Sequence, residues 1–300
     1  MNRIQFLCML LVSALNAPFV SAGEEAAPAA PVRVLVLDGF SNHDWRHTTR
    51  RIRDILNAAG GFEVTVSTFP DAGPDREAWL PPFSTCDVVV QTCNDIGGGP
   101  RWPRAAEQAL EEFVRGGGGM FVYHSGNNAF PAWEEYNRMI GLGWRKKDYG
   151  FAITVGDDGT LTRLPAGQGG STGHGERINA LLHRRGDAPI HRGLPREWRA
   201  ADLEIYRYAR GPAEELEVLS YAREPQTGLN FPVEWTVGYG RGRVYNSTFG
   251  HVWHDQKDPE GMRCAGFQTV MVRAVEWLAG REPRTDVPAD FPTQEKVSLR

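Results

Sequence analysis

Residues 116–128 read Gly-Gly-Gly-Gly-Met-Phe-Val-Tyr-His-Ser-Gly-Asn-Asn, and this stretch limits the fold more than any other. The glycines stop a helix, and the apolar run behind them is short enough to be a strand buried on both faces. That strand empties into His124 and a turn of small residues. Ligands of an open parallel α/β sheet sit just beyond the carboxyl ends of its strands, so His124 stands where chemistry is expected.

The rest of the N-terminal half repeats the pattern. Residues 32–37 are apolar apart from Arg33, as a central parallel strand is, and they lead into Asp38-Gly39-Phe40-Ser41-Asn42-His43-Asp44-Trp45. Ile52, Ile55, Leu56 and Ala59 give residues 48–59 a helical stripe closed by Gly60-Gly61. Strands are expected at 62–69 and 87–92, and a helix at 103–115. Strands alternating with helices imply right-handed crossovers and a doubly wound, mostly parallel sheet with helices on both faces.

Beyond Pro131 the signal weakens. A short helix is expected at 133–140, a strand at 151–155, and a functional loop or insertion over the Gly- and Thr-rich residues 156–175. Further strands are read at 178–182, 203–208, 216–221, 233–237 and 242–249. The last of these ends at Gly250-His251-Val252-Trp253-His254-Asp255. A helix at 264–278 and a polar tail over 281–300 complete the expectation, with one α/β domain at 32–280.

Arg3 is the only charge before Glu24, residues 6–15 are apolar, and Val20-Ser21-Ala22 is a small-residue cleavage site. This is the pattern of an export signal over residues 1–22, followed by an Ala/Pro linker at 23–31. The expected mature protein is periplasmic or secreted and leaves the membrane once the signal is cleaved. A net charge of −4 gives no basic footprint, which argues against nucleic acid as a partner. Of four cysteines, Cys8 would leave with the signal. Cys86 and Cys93 flank one strand, about 23 Å apart at the rise of extended chain, too far for a disulfide. They and Cys264 read as buried free thiols.

Three histidine-bearing turns therefore follow three strands: His43-Asp44-Trp45, His124-Ser125-Gly126 and His251-Val252-Trp253. Imidazole titrates near neutrality and ligates metals, so convergence on one rim suits acid–base catalysis or a metal site. The plainer alternative is three unrelated loop histidines. Asp44 could cap a helix, the tryptophans could fill the core, and Asn94 could be either a hydrogen-bond donor or a turn residue.

In this order the words His43-Asp44-Trp45, Gly117 to His124, Thr172-Gly173-His174-Gly175, Asp202-Leu203-Glu204-Ile205-Tyr206, Tyr239-Gly240-Arg241-Gly242 and Gly250-His251 resemble the trehalose-utilisation (ThuA-like) family. The resemblance spans about residues 32 to 280. It implies a flavodoxin-like fold similar to the class I glutamine amidotransferases and a role in sugar catabolism, including disaccharides oxidised to 3-keto forms by a partner dehydrogenase. His124 stands where those amidotransferases hold their nucleophilic cysteine, so thiolate chemistry is excluded there. Where relatives often read His-Pro-Ile, this chain has Ala188-Pro189-Ile190 and then His191, a departure that puts His191 in doubt as a site residue.

The expectation is an exported enzyme acting on a glycoside or 3-keto glycoside. His124 serves as base, and His43 and His251 stabilise developing charge, either directly or by holding a divalent, zinc-like metal. Glu204 is a further acid or ligand, and Asp44, Trp45, Asn94, Ser125, His174 and Trp253 are candidate substrate contacts. The competing expectation is a non-catalytic sugar-binding or scaffold protein that kept the fold without its thiol.

Overall fold

Residues 30–300 are described by a computed structural model. The expected signal, most of the linker and Cys8 lie outside the described residues. The strands and helices run β1 (Val32–Asp38), α1 (Trp45–Ala59), β2 (Phe62–Thr68), α2 (Asp75–Ala78), β3 (Val88–Gln91), α3 (Arg104–Arg115), β4 (Gly119–Tyr123), α4 (Glu134–Ile140), β5 (Phe151–Val155), β6 (Leu161–Leu164), β7 (Gly173–His174) and β8 (Ile178–Arg184). They continue as β9 (Glu197–Leu203), β10 (Tyr206–Arg207), β11 (Arg210–Gly211), β12 (Leu216–Arg223), β13 (Asn230–Tyr239), β14 (Gly242–Ser247), α5 (Glu260–Arg263) and α6 (Ala265–Leu278).

Twelve strands form one sheet, ordered β2-β1-β3-β4-β14-β13-β12-β8-β9, with β5, β6 and β11 attached beside β13. From β2 to β14 the neighbours are parallel; beyond β14 they are antiparallel. Side chains of a strand alternate between faces, and here each face has its own core. Val34 and Val36 pack with Val90, Phe121 and Tyr123 against α1 and α6. Leu35 and Leu37 pack with Val89, Met120 and Val122 against α3 and α4. Helical cover on both sides is why β3 and β4 are buried at every residue.

Register sets the position of the site. Leu37 pairs with Gln91, Gln91 with Val122, and Val122 with Asn246. The loops after β1, β3, β4 and β14 therefore leave from one rim. Asp44 N donates to the Val252 carbonyl at 3.0 Å, joining the first of these loops to the last.

Three expectations change. Residues 203–208 are not one strand: β9 ends at Leu203, Glu204 and Ile205 leave the ladder, and β10 pairs with β7. Asp202 has φ +49°, which turns the chain out of the sheet one residue before its end. The strand at 197–203 escaped notice because its burial follows Trp198, Ala200 and Leu203 through charged neighbours. Residues 156–175 are not wholly loop, since β6 folds back on β5 through a turn closed by Gly156 and Thr160. The tail packs on the domain, with Phe291 against Trp198 and Leu299 bridged to Cys264. Among the described residues, no helix is long and apolar enough to cross a membrane.

Candidate metal and catalytic centre

The three histidine turns converge. His43, His124 and His251 have ring centroids 4.8 to 5.2 Å apart, each pair nearly perpendicular. Glu204 joins them, and the four residues offer donor atoms within 4.8 Å of one another. All four are buried.

Each histidine is oriented through Nδ1. His124 Nδ1 donates to the Thr248 carbonyl at 2.8 Å. His43 Nδ1 donates to Asn42 Oδ1 at 2.9 Å, and Asn94 Nδ2 holds that same oxygen at 2.7 Å. His251 Nδ1 lies 3.2 Å from Gln256 Oε1, which also accepts from Arg177 Nη1 and from Trp253 N. Engaging Nδ1 in this way leaves Nε2 of His43 and His124 to ligate, whereas His251 Nδ1 faces both the Arg177 guanidinium and Gln256 Oε1.

His124 decides what the centre needs. A carbonyl can only accept, so Nδ1 carries a proton, and Nε2 is the ring atom turned toward Glu204. That buried atom has no hydrogen-bond partner, yet Glu204 Oε2 lies 3.2 Å away. In low dielectric an imidazole nitrogen this close to a carboxylate repels it unless a cation, a proton or a metal ion, lies between them. His124 also sits at φ +43°, a sparsely populated conformation for a side chain of this size, costing about 1–3 kcal/mol.

The surrounding electrostatics suit a cation. Burial, and then the neighbouring His124, push the His43 imidazole down to about 2. Burial and His124 push His251 down to about 3. Both rings are therefore neutral near pH 7. Burial alone would raise the Glu204 carboxyl, but its contacts with His124 and His174 outweigh that and hold it far below the usual carboxylate range. His174 Nδ1 reaches Glu204 Oε1 at 3.0 Å; this bond raises the His174 pKa despite partial burial. Three imidazoles and one carboxylate are a zinc-type donor set.

Because His43 and His251 are charged when unfolded at acid pH but neutral when folded, the unfolded state binds more protons below about pH 6.5. Metal-free protein should lose stability from there downward, at up to about 1.4 kcal/mol per pH unit for each histidine. Denaturant unfolding at pH 7 and pH 5 checks this. Equal stabilities would contradict the assigned burial.

The remaining candidates surround the centre in different ways. Trp253 is 40% exposed, stacked on His251 and edge-on to His43. His174 stands half exposed at the rim. Asn94 acts through Asn42 on His43. Ser125 is buried in the turn after β4. Asp44 is engaged as the N-cap of α1, accepting from His47 N at 2.9 Å, and Arg46 covers the Trp45 ring. His191 lies apart, bonded to Glu234 on β13. Cys86, Cys93 and Cys264 are buried and unpaired, and burial raises all three thiols. Arg177, Gln256 and Thr248 belong to no sequence motif, and only the fold brings them to the histidines.

Gly250, just before His251, has φ +83°, and a Cβ there would overlap the Tyr123 hydroxyl. Gly250→Ala should therefore destabilise the fold by about 2 kcal/mol or more, measured as a lower denaturation midpoint. An unchanged midpoint would contradict this packing.

A family model described as trehalose utilisation, ThuA, matches residues 33–278. A ThuA-like protein of Parabacteroides merdae is 33% identical, with TM-score 0.83 over 90% of this chain and 98% of that one. The chain belongs to the ThuA family. A ThuA-like protein of Bacteroides uniformis, 14% identical with TM-score 0.55 over 88% of this chain and 99% of that one, shares the fold. Among curated proteins none matches. Within this ThuA chain, the family match takes in His43, His124, Glu204 and His251 together.

Proposed function

We propose that the chain is an exported enzyme of sugar catabolism. Its His43–His124–Glu204–His251 centre binds a divalent, zinc-like metal and acts on a glycoside, preferentially the 3-keto form of a trehalose-like disaccharide. The observation that carries the metal is the buried, unpartnered Nε2 of His124 facing Glu204. Family membership carries the sugar, and the apolar segment 6–15 with its small-residue site carries export. The parallel order β2-β1-β3-β4-β14 supports a flavodoxin-like, amidotransferase-like reading of the fold.

A ketone at C3 acidifies the neighbouring C2–H. A base takes that proton, and its electron pair moves onto the C3 oxygen. The pair then returns to form the C1–C2 double bond and breaks the bond from C1 to the leaving oxygen, which takes up a proton and departs as an alcohol. A divalent ion in this centre would supply Lewis acidity to the C3 oxygen. In this reading His124 is a ligand rather than the base. His174 takes the C2 proton, its Nδ1 held by Glu204 and its Nε2 left to accept. Trp253 offers the sugar ring an exposed aromatic face. The 3-keto substrate itself must come from a partner dehydrogenase that oxidises C3.

A proton NMR time course with trehalose and with 3-keto-trehalose, with and without chelator, tests this. The expected result is cleavage of the keto sugar alone, stopped by chelator and restored by zinc. Unchanged spectra would favour the non-catalytic sugar-binding alternative.

A further inference from the structure

A cavity of about 810 Å³ has Pro131 and Ala132 on one wall, residues 144–149 on another and Ser171 and Thr172 on a third, and its Trp144 meets His174, the partner of Glu204. We propose that it is the subsite for the second sugar ring of a disaccharide whose reacting ring lies at the four-donor centre. The inference rests on the function proposed above.

Three connections tie cavity to centre. Asn128 and Ala129 lead from the His124 turn to the first wall, and their carbonyls accept from the buried Arg145 guanidinium at 3.1 and 2.6 Å. Asn137 Oδ1 accepts from the same side chain at 2.6 Å. Thr172, on the third wall, stands two residues before His174, and its Oγ1 lies 2.9 Å from the Arg145 carbonyl. The Trp144 ring lines the cavity and meets His174 and Tyr206 edge-on at 5.7 and 5.9 Å. Arg145 thus fixes two walls in place before any ligand arrives, which reduces the ordering cost of binding.

The lining matches a pyranose. Trp144 and Tyr149 present aromatic surface to the ring's C–H face, while Lys147, Asp148 and Ser171 offer donors and acceptors to its hydroxyls. The volume falls within the range of small-ligand sites, about 300–1,000 Å³. Contacts to a ring remote from the reacting carbon contribute to turnover, so a truncated substrate loses rate.

The test compares kcat/KM for 3-keto-trehalose with that for methyl 3-keto-α-glucoside, which lacks the second ring. The intact protein should favour the disaccharide by about tenfold or more. In Ala132→Trp, which fills the cavity from an exposed position, the ratio should fall to about one; in Tyr149→Ala it should fall about threefold or more. A ratio near one in the intact protein, or an unchanged ratio in both variants, overturns the subsite alone. Turnover of neither sugar overturns the proposed function, and the subsite with it.

Discussion

His124→Asn is expected to weaken metal binding about a hundredfold or more, and to remove turnover, while the protein stays folded. The magnitude follows because even outer-shell partners of a metal are worth about 10- to 100-fold, and His124 is the residue whose free nitrogen faces Glu204. Asparagine is chosen because it tolerates the left-handed backbone at φ +43°. Its side chain also stops short of where Nε2 sits. The lost bond to the Thr248 carbonyl costs about 1 kcal/mol, small beside the loss of a ligand. Metal content by mass spectrometry, beside a thermal melt, reads both effects. A folded variant with full metal content would contradict the account.

Glu204→Gln should produce the second-largest loss. The substitution preserves shape and leaves an oxygen to accept from His174, so packing changes little. It removes the one carboxylate among three imidazoles, in a buried site where charge acts through low dielectric. Metal affinity is expected to fall by about tenfold or more. The His174 titration should also move down, because its bond to Glu204 is what raises it. Histidine NMR across pH 5 to 9 gives the second readout independently of activity. Full metal retention with an unmoved His174 titration would remove Glu204 from the centre.

The histidine rim was legible because its physics is local. Continuous apolar runs mark β1 and β4, and a histidine closely follows each of β1, β4 and β14; parallel register then delivers His43, His124 and His251 to one end. Glu204 was legible only as a word in a family pattern. What brings it to the centre is Asp202 at φ +49°, and an aspartate in left-handed backbone has no signature in the sequence. The partners that orient His124 and His251, Thr248 and Gln256, depend on how two loops fold over one another. Arg177 reaches Gln256 and His251 from the residue before β8, a placement only the antiparallel half of the sheet defines. Asp44 shows the converse case: its capping role could be read from its position before a helical stripe, and the structure bonds it to His47 N.

The measurement that most directly tests the central claim is the metal stoichiometry of the intact protein after purification without chelator, followed by zinc titration of the stripped form. The account predicts one divalent ion per chain, bound tightly by the intact protein and lost in His124→Asn. A stripped protein that takes up no ion, or takes it up equally well without the His124 imidazole, would contradict it.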